Sequence, residues 1–318
     1  MTALDKIAAI GVLPVIKITD VQDAVPLAKA LRDGGIHAIE VTARSDAAFD
    51  SIRAIRNAFP DMTVGAGTIL TTELADKAIE AGAEYCVGPG FNPKVVLHCL
   101  EKDIPFLPGC TTASEIGAAQ DLGLRFVKFF PAEANGGTAA LRDLSGPFPH
   151  IRFVTTGGMS FDNIENYLRM KCVAACGGSF MAKADVSKSR NWEKITADCR
   201  KALDLSLGFR LAHVGINHGS AEEASRDARL FCHLFRLQED VRGEKCTFSG
   251  SYIENMNFPF YGTNGHICFQ SNNINRAFHY FRSLGVEINE DSIQRNSSGE
   301  MICFYLTEEI GGFAVHVI

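Results

Sequence analysis

Lys128 sits in the stretch Phe126-Val127-Lys128-Phe129-Phe130-Pro131, an amine flanked by phenylalanines. In an extended strand successive side chains point to opposite faces, so Phe126, Lys128 and Phe130 share one side. Desolvation on that side disfavours the ammonium, and a neutral amine attacks a carbonyl carbon. A second stretch, Ile39-Glu40-Val41-Thr42-Ala43-Arg44, puts Glu40, Thr42 and Arg44 on one face and Ile39, Val41 and Ala43 on the other. Charges on a strand that is buried on both sides are costly unless they are used. A partly desolvated lysine of this kind is a candidate for covalent attack on a carbonyl. Residue types alone leave a plainer alternative open, in which Lys128 and Glu40 form an ion pair that fills space.

Glycine clusters mark a second kind of chemistry. Thr155-Thr156-Gly157-Gly158 and Cys176-Gly177-Gly178-Ser179 each close an apolar run. Glycine lets backbone N–H groups converge on an anion, so the pair predicts a phosphate site; two tight turns are the alternative. The stretch Val64-Gly65-Ala66-Gly67-Thr68 lies within an apolar run, and its glycines predict room for substrate beside Thr68. Lys17 ends the first run and is either a charge near an anion or a solvated lysine.

These residues need elements to hold them. Short apolar runs at Val12–Ile18, Ala38–Thr42, Thr63–Thr68, Tyr85–Gly88, Pro105–Cys110, Phe126–Pro131, Phe153–Thr156 and Val173–Cys176 alternate with amphipathic stretches. Caps for the intervening helices are predicted at Thr19 or Asp20, Ser45, Thr71, Asn92, Thr112 and Asp162. Strands alternating with helices imply parallel pairing, and eight units in about 200 residues favour a closed (β/α)8 TIM barrel over an open sheet. In such a barrel, functional side chains cluster at the C-terminal ends of the strands, with phosphate after strands seven and eight. The rhythm stops after Leu207, which sets a boundary between residues 1–208 and 209–318. The second part reads as a small α+β domain of paired βαβββ modules, the first compressed and the second fuller. Six of the nine histidines lie there.

Composition excludes several classes. The 318 residues are 46% apolar and 21% charged, with net charge −6 and scattered Lys and Arg, so nucleic acid is not an expected partner. No apolar run approaches the roughly 20 residues that span a bilayer, and Met1–Asp20 lacks a signal-peptide layout. The ten cysteines stand as singletons, as expected of small buried hydrophobes in a reducing cytoplasm.

Across residues 1–208 the sequence resembles the 2-dehydro-3-deoxy-6-phosphogluconate (KDPG) / 4-hydroxy-2-oxoglutarate (KHG) aldolases. Gly35-Ile36-His37-Ala38-Ile39-Glu40-Val41-Thr42-Ala43-Arg44 looks like that family's acid/base strand. Gly123 through Gly136, including Lys128 and Phe129-Phe130-Pro131-Ala132-Glu133-Ala134-Asn135, looks like its Schiff-base segment. The first stretch departs from the usual pattern at Ala43, where a large apolar residue is expected; the alternation turns Ala43 toward the helices, away from the chemistry. The resemblance implies that Lys128 forms the imine and that Glu40 shuttles protons, through a water. It also implies that Arg44 and Thr68 hold the pyruvyl carboxylate, that Pro89, Phe130 and Thr156 wall the pocket, and that Gly157, Gly158, Gly178 and Ser179 hold a distal phosphate. No metal or other cofactor is implied for this step. The implied setting is a cytoplasmic homotrimer acting on a small 2-oxo acid in Entner–Doudoroff carbohydrate metabolism. The galactonate epimer as substrate, and a non-catalytic sugar-phosphate-binding barrel with a sensor tail, stay open as alternatives.

The tail resembles the vicinal oxygen chelate superfamily (glyoxalase and bleomycin-resistance proteins). Its halves open with Ala212-His213-Val214-Gly215-Ile216 and Gly265-His266-Ile267-Cys268-Phe269, and close with Tyr252-Ile253-Glu254-Asn255-Met256 and Gly312-Phe313-Ala314-Val315-His316-Val317. The resemblance implies a divalent metal at His213, Glu254, His266 and His316, the last standing where glutamate is usual. A metal-free packing module is the alternative.

Overall fold

The structure, a computed structural model, describes residues 1–183 and 189–318. The chain divides into two compact units, Met1–Ser206 and Leu207–Ile318.

In the first unit eight parallel strands stand side by side: β1 (Val12–Ile16), β2 (Ala38–Thr42), β3 (Thr63–Gly67), β4 (Tyr85–Val87), β5 (Phe106–Leu107), β6 (Phe126–Phe129), β7 (Arg152–Thr156) and β8 (Val173–Gly178). Their order is β5-β4-β3-β2-β1-β8-β7-β6. The seam between β5 and β6 closes on Lys128 itself, whose N–H donates to the Pro108 carbonyl and whose carbonyl accepts from Cys110 N–H, both at 2.8 Å. The sheet is thus a barrel. The backbone of the candidate nucleophile is pinned on both sides by its closure.

Alternation builds two cores. Val12, Ile16, Ile39, Val41, Val64, Ala66, Val127, Phe129 and Phe153 face outward and pack under the helices; Ala43 joins that layer, as its place in β2 requires. Leu13, Ala38, Tyr85, Val87, Leu107, Phe126, Val154 and Ala174 fill the lumen. The floor is a helix that the strand rhythm does not announce, Ala3–Ile10, opened by a Thr2–Asp5 capping box and burying Ala3, Leu4 and Ile7. At the other end, the C-terminal strand ends open onto a cavity.

Thr71, Asn92 and Thr112 cap their helices as expected. Asp20 caps a short 3-10 turn. Ser45 does not cap: its hydroxyl donates to the Ile18 carbonyl, and the helix Ala48–Ala58 starts from Ala47. Asp162 is displaced by Asn163, which sits at the cap position with its carboxamide turned back to Ser160 N–H. All ten cysteines are free and eight are buried. Among the described residues no helix is long and apolar enough to cross a membrane.

The second unit holds β9 (Arg210–Asn217), the helix Ala221–Phe235, β10 (Glu239–Arg242), β11 (Cys246–Ser249) and β12 (Ile253–Met256). The pattern repeats as β13 (Gly265–Gln270), the helix Ile274–Ser283, β14 (Ile288–Arg295), β15 (Met301–Leu306) and β16 (Phe313–Val317). The first module therefore has its full set of strands, although its last three have four residues each. In each module the first strand pairs in parallel with the last, β9 with β12 and β13 with β16. An antiparallel β9–β13 ladder joins the halves into one eight-stranded sheet. The first and last strands of both halves thus form four adjacent central strands.

Candidate active site

Glu40 on β2 and Lys128 on β6 are 1% and 6% exposed, and both point into the lumen from opposite walls. Lys128 Nζ lies 3.3 Å from Glu40 Oε1 and 3.5 Å from Oε2. Lys128 Nζ also stands 5.3 Å from the centroid of the Phe130 ring. A pair this buried gains little net stability over an apolar filling, because desolvating both charges offsets their attraction. Its retention therefore calls for a use.

Both side chains open onto a cavity of about 240 Å³ at the C-terminal mouth. Arg44, Thr68, Pro89, Phe130, Thr156, Gly157, Gly158, Gly178 and Ser179 line it with them, so every site residue expected in the barrel meets in one place. Val15, Thr42 and Met159 also line it and were not expected there as contacts. Period two from Leu13 carries Val15 into the lumen, and Thr42 shares the face of Glu40. Met159, just past the glycine pair, has no such signal. Lys17 is exposed and lies outside the lining.

Two polar groups in this wall are left without protein partners. Thr156 Oγ1 is buried and accepts or donates no hydrogen bond. Leaving a buried hydroxyl unsatisfied costs about 1–3 kcal/mol, which a bound ligand recovers. Arg44 is exposed at the rim, and among the described residues no carboxylate pairs with it. A guanidinium lining the same cavity as an amine is suited to a carboxylate bonded to the carbonyl carbon under attack.

The glycine pair after β7 is required by shape. Gly157 and Gly158 have φ of +96° and +81°, in the left-handed region. A Cβ on Gly157 would fall 2.9 Å from Pro131 Cα, and one on Gly158 would fall 2.5 Å from Glu133 Cγ. Two backbone bonds tie this loop to the turn after β6: Ala132 N–H to the Thr156 carbonyl at 2.8 Å and Glu133 N–H to the Gly157 carbonyl at 3.2 Å. Tyr167 donates a short hydrogen bond to Glu133, bracing the turn. The glycines of β3 have a different role from the one expected. Gly65 leaves room for the ring of Tyr85 and Gly67 for the carboxylate of Glu40; neither gap is space for substrate. Thr68 follows them with φ +62° and reaches the cavity wall.

A second cluster lies on the four central strands of the other unit. Glu254 Oε2 is 3.1 Å from His213 Nε2 and 3.0 Å from His266 Nε2, and the two imidazole nitrogens are 3.3 Å apart. His213, His266 and His316 each offer a nitrogen within 4.8 Å of the others. The Nε2 of His316 and the Nδ1 of His266 are buried without partners. His316 Nδ1 meets the Cys303 thiol at 3.4 Å, and the ring stacks on Tyr305 at 4.5 Å. Burial raises Glu254, but hydrogen bonds from His213 and His266 outweigh it and hold the carboxyl well below the usual carboxylate range. Burial, with His266 and His213 alongside, pushes His316 down to about 3. An ionised carboxylate among imidazoles with an orphaned nitrogen is a donor set that fits a divalent cation.

With this geometry in hand, known proteins show what the chain is similar to. The sequence model of the KDPG and KHG aldolase family matches residues 4–198. A 2-dehydro-3-deoxy-phosphogluconate aldolase of Treponema pallidum is 43% identical over 205 residues, covering 64% of this chain and 98% of its own. A KHG/KDPG aldolase of Escherichia coli is 42% identical over 204 residues, covering 64% of this chain and 96% of its own. A crystal structure of a KDPG aldolase from Legionella pneumophila, with pyruvate captured at low pH as a covalent carbinolamine intermediate, matches with TM-score 0.62 and 38% identity over 64% of this chain and 98% of its own.

Proposed function

The chain belongs to the KDPG and KHG aldolase family, and from that premise we propose how its own residues perform a class I aldolase reaction on a 2-oxo acid. The observation that carries the assignment of roles is the Lys128 amine 3.3 Å from Glu40 at the base of the shared cavity. Lys128 first gives a proton to Glu40, 3.3 Å away, and its neutral Nζ attacks the C2 carbonyl carbon of the substrate. The carbinolamine that forms loses its hydroxyl as water, with Glu40 supplying the proton, and leaves a protonated imine. That imine draws in the electron pair of the C3–C4 bond as the C4 hydroxyl gives its proton to Glu40, directly or through a water. The aldehyde departs and an enamine remains on Lys128. Protonation at C3 and hydrolysis then release pyruvate and restore the amine. No metal or other cofactor enters these steps.

Arg44 and Thr68 are assigned to the pyruvyl carboxylate, Pro89, Phe130 and Thr156 to the walls, and Gly157, Gly158, Gly178 and Ser179 to a distal phosphate. The substrates are 2-dehydro-3-deoxy-6-phosphogluconate, giving glyceraldehyde 3-phosphate, and 4-hydroxy-2-oxoglutarate, giving glyoxylate. A cytoplasmic homo-oligomer, a trimer by the family resemblance, is part of the same proposal. The substrate is read by coupled assay of pyruvate release from these two compounds and from the galactonate epimer. Release from none of the three would leave a sugar-phosphate-binding barrel.

The phosphate assignment has its own test. Ser179→Asp places a negative charge against the proposed phosphate, and two like charges about 4 Å apart repel by roughly 1 to 4 kcal/mol between water and a protein surface. Cleavage of the six-carbon phosphorylated substrate should fall about 5- to 10³-fold, and cleavage of 4-hydroxy-2-oxoglutarate far less. Equal losses on both would make the loops general pocket walls.

For the second unit the proposal is a vicinal-oxygen-chelate-like domain holding one divalent ion at His213, Glu254, His266 and His316. Imidazoles with a single carboxylate suit zinc, iron or nickel better than calcium. Such an ion supplies Lewis acidity, while Cys303 and Tyr305 hold the His316 ring in place. Elemental analysis of untagged protein should find about one metal per chain, and none in the His213→Ala, His266→Ala double variant. Untagged protein that takes up no metal on dialysis against zinc, iron or nickel would make the domain an interaction module instead.

A further inference from the structure

We propose that Gly67 is a positioning residue for the acid/base carboxylate, an inference that rests on the assignment of Glu40. Gly67 ends β3, where it pairs with Thr42 in the parallel ladder, two residues past the Gly65–Glu40 pair. A Cβ at Gly67 would lie 2.1 Å from Glu40 Oε1, 2.7 Å from Cδ and 2.8 Å from Cγ. The whole head of Glu40 therefore lies across a bare Cα. The glycine is not there for its backbone freedom, because its φ is outside the left-handed region and β3 is regular. What position 67 supplies is one methyl's worth of space, in the path of one side chain.

The carboxylate has no other berth at this level. Directly beneath it, in the same row across the strands, Gly65 pairs with Glu40 on one side and with Tyr85 on the other. The Tyr85 ring covers Gly65 so closely that a Cβ there would fall 2.2 Å from it, and its hydroxyl donates to the Ile39 carbonyl at 2.9 Å. Tyr85 is fully buried and blocks retreat toward the barrel floor. The two glycines thus form a step: the lower admits the ring that supports Glu40, and the upper lets the carboxylate recline against the wall. In that posture it keeps 3.3 Å from Lys128 and leaves the lumen clear for substrate. An alanine at 67 drives the carboxylate off the wall, into the volume where the reacting carbons must sit.

A double-mutant cycle tests this. Gly67→Ala should lower kcat by about 10²-fold, the effect of a misplacement near 1 Å, while KM moves little. Glu40→Ala removes Cγ, Cδ and the carboxylate, whose atoms would lie 2.1 to 2.8 Å from the added methyl. In the Glu40→Ala background, Gly67→Ala should therefore change the residual kcat by no more than about twofold. If Gly67→Ala alone fails to fold, the double variant should recover folding, because the clash is relieved. The proposal is overturned by full activity in Gly67→Ala, by equal losses in both backgrounds, by a loss confined to KM, or by a double variant that also fails to fold. An unimpaired Glu40→Gln enzyme would instead sink the role of Glu40 itself, which separates the two failures.

Discussion

Replacing Lys128 by alanine is expected to remove turnover, by more than about 10³-fold, and with it any covalent capture of pyruvate. Borohydride added together with pyruvate reduces the imine to a stable secondary amine, so the intact enzyme should carry one adduct, located on Lys128 by peptide mapping. Alanine leaves nothing to attack the carbonyl, and Glu40 loses its ion-pair partner, so the remaining pocket has neither nucleophile nor electron sink. The fold should survive, since the seam bonds at residue 128 belong to the backbone and persist with any side chain there. Lys128→Met keeps the volume and serves as the control for packing. An adduct on another lysine, or full activity in either variant, would sink the assignment of the nucleophile.

Much of this site was legible because one rule, the alternation of side chains along a strand, acts on residues that are adjacent in the sequence. It put Lys128 with Phe126, separated Glu40 from Val41, and turned Ala43 toward the helices, all as the two cores show. It also located the glycine pairs at the strand ends where the cavity opens. What it could not reach were demands made by distant residues. Gly65 and Gly67 are small because Tyr85 and Glu40 need their space, and neither neighbour is near in sequence. Ser45 carries a cap residue's chemistry but spends its hydroxyl on Ile18, a partner brought close only by the fold. The helix Ala3–Ile10 precedes the first strand, so its purpose as a floor appears only once the barrel exists to be sealed. Glu133 and Tyr167 likewise meet across 34 residues, a pairing that neither residue announces in the sequence. In the second unit the four ligand candidates were placed by their strand positions, whereas the thiol of Cys303 against His316 needed three dimensions.

The division of labour between Glu40 on β2 and Arg44 just past its end gives the second large effect. Glu40→Gln preserves shape and removes the proton-carrying oxygen, so kcat should fall by roughly 10²- to 10⁴-fold, as for a lost general acid/base, with a smaller change in KM. Arg44→Ala should do the reverse, raising KM more than it lowers kcat, because an exposed guanidinium at the rim holds the carboxylate in ground and transition states alike. The two variants also differ in trapping. Imine formation requires water to leave the carbinolamine, so Glu40→Gln should slow borohydride capture of pyruvate at saturating concentrations. Arg44→Ala should slow it only when pyruvate is scarce. EDTA should leave all of these rates unchanged; inhibition reversed by zinc or magnesium would point to a metal-dependent aldolase. Should Glu40→Gln retain the parent kcat, the carboxylate would be no more than the buried partner of Lys128, and the proton would have to travel by another route through the 240 Å³ cavity, where Thr156 Oγ1 is the buried hydroxyl without a partner.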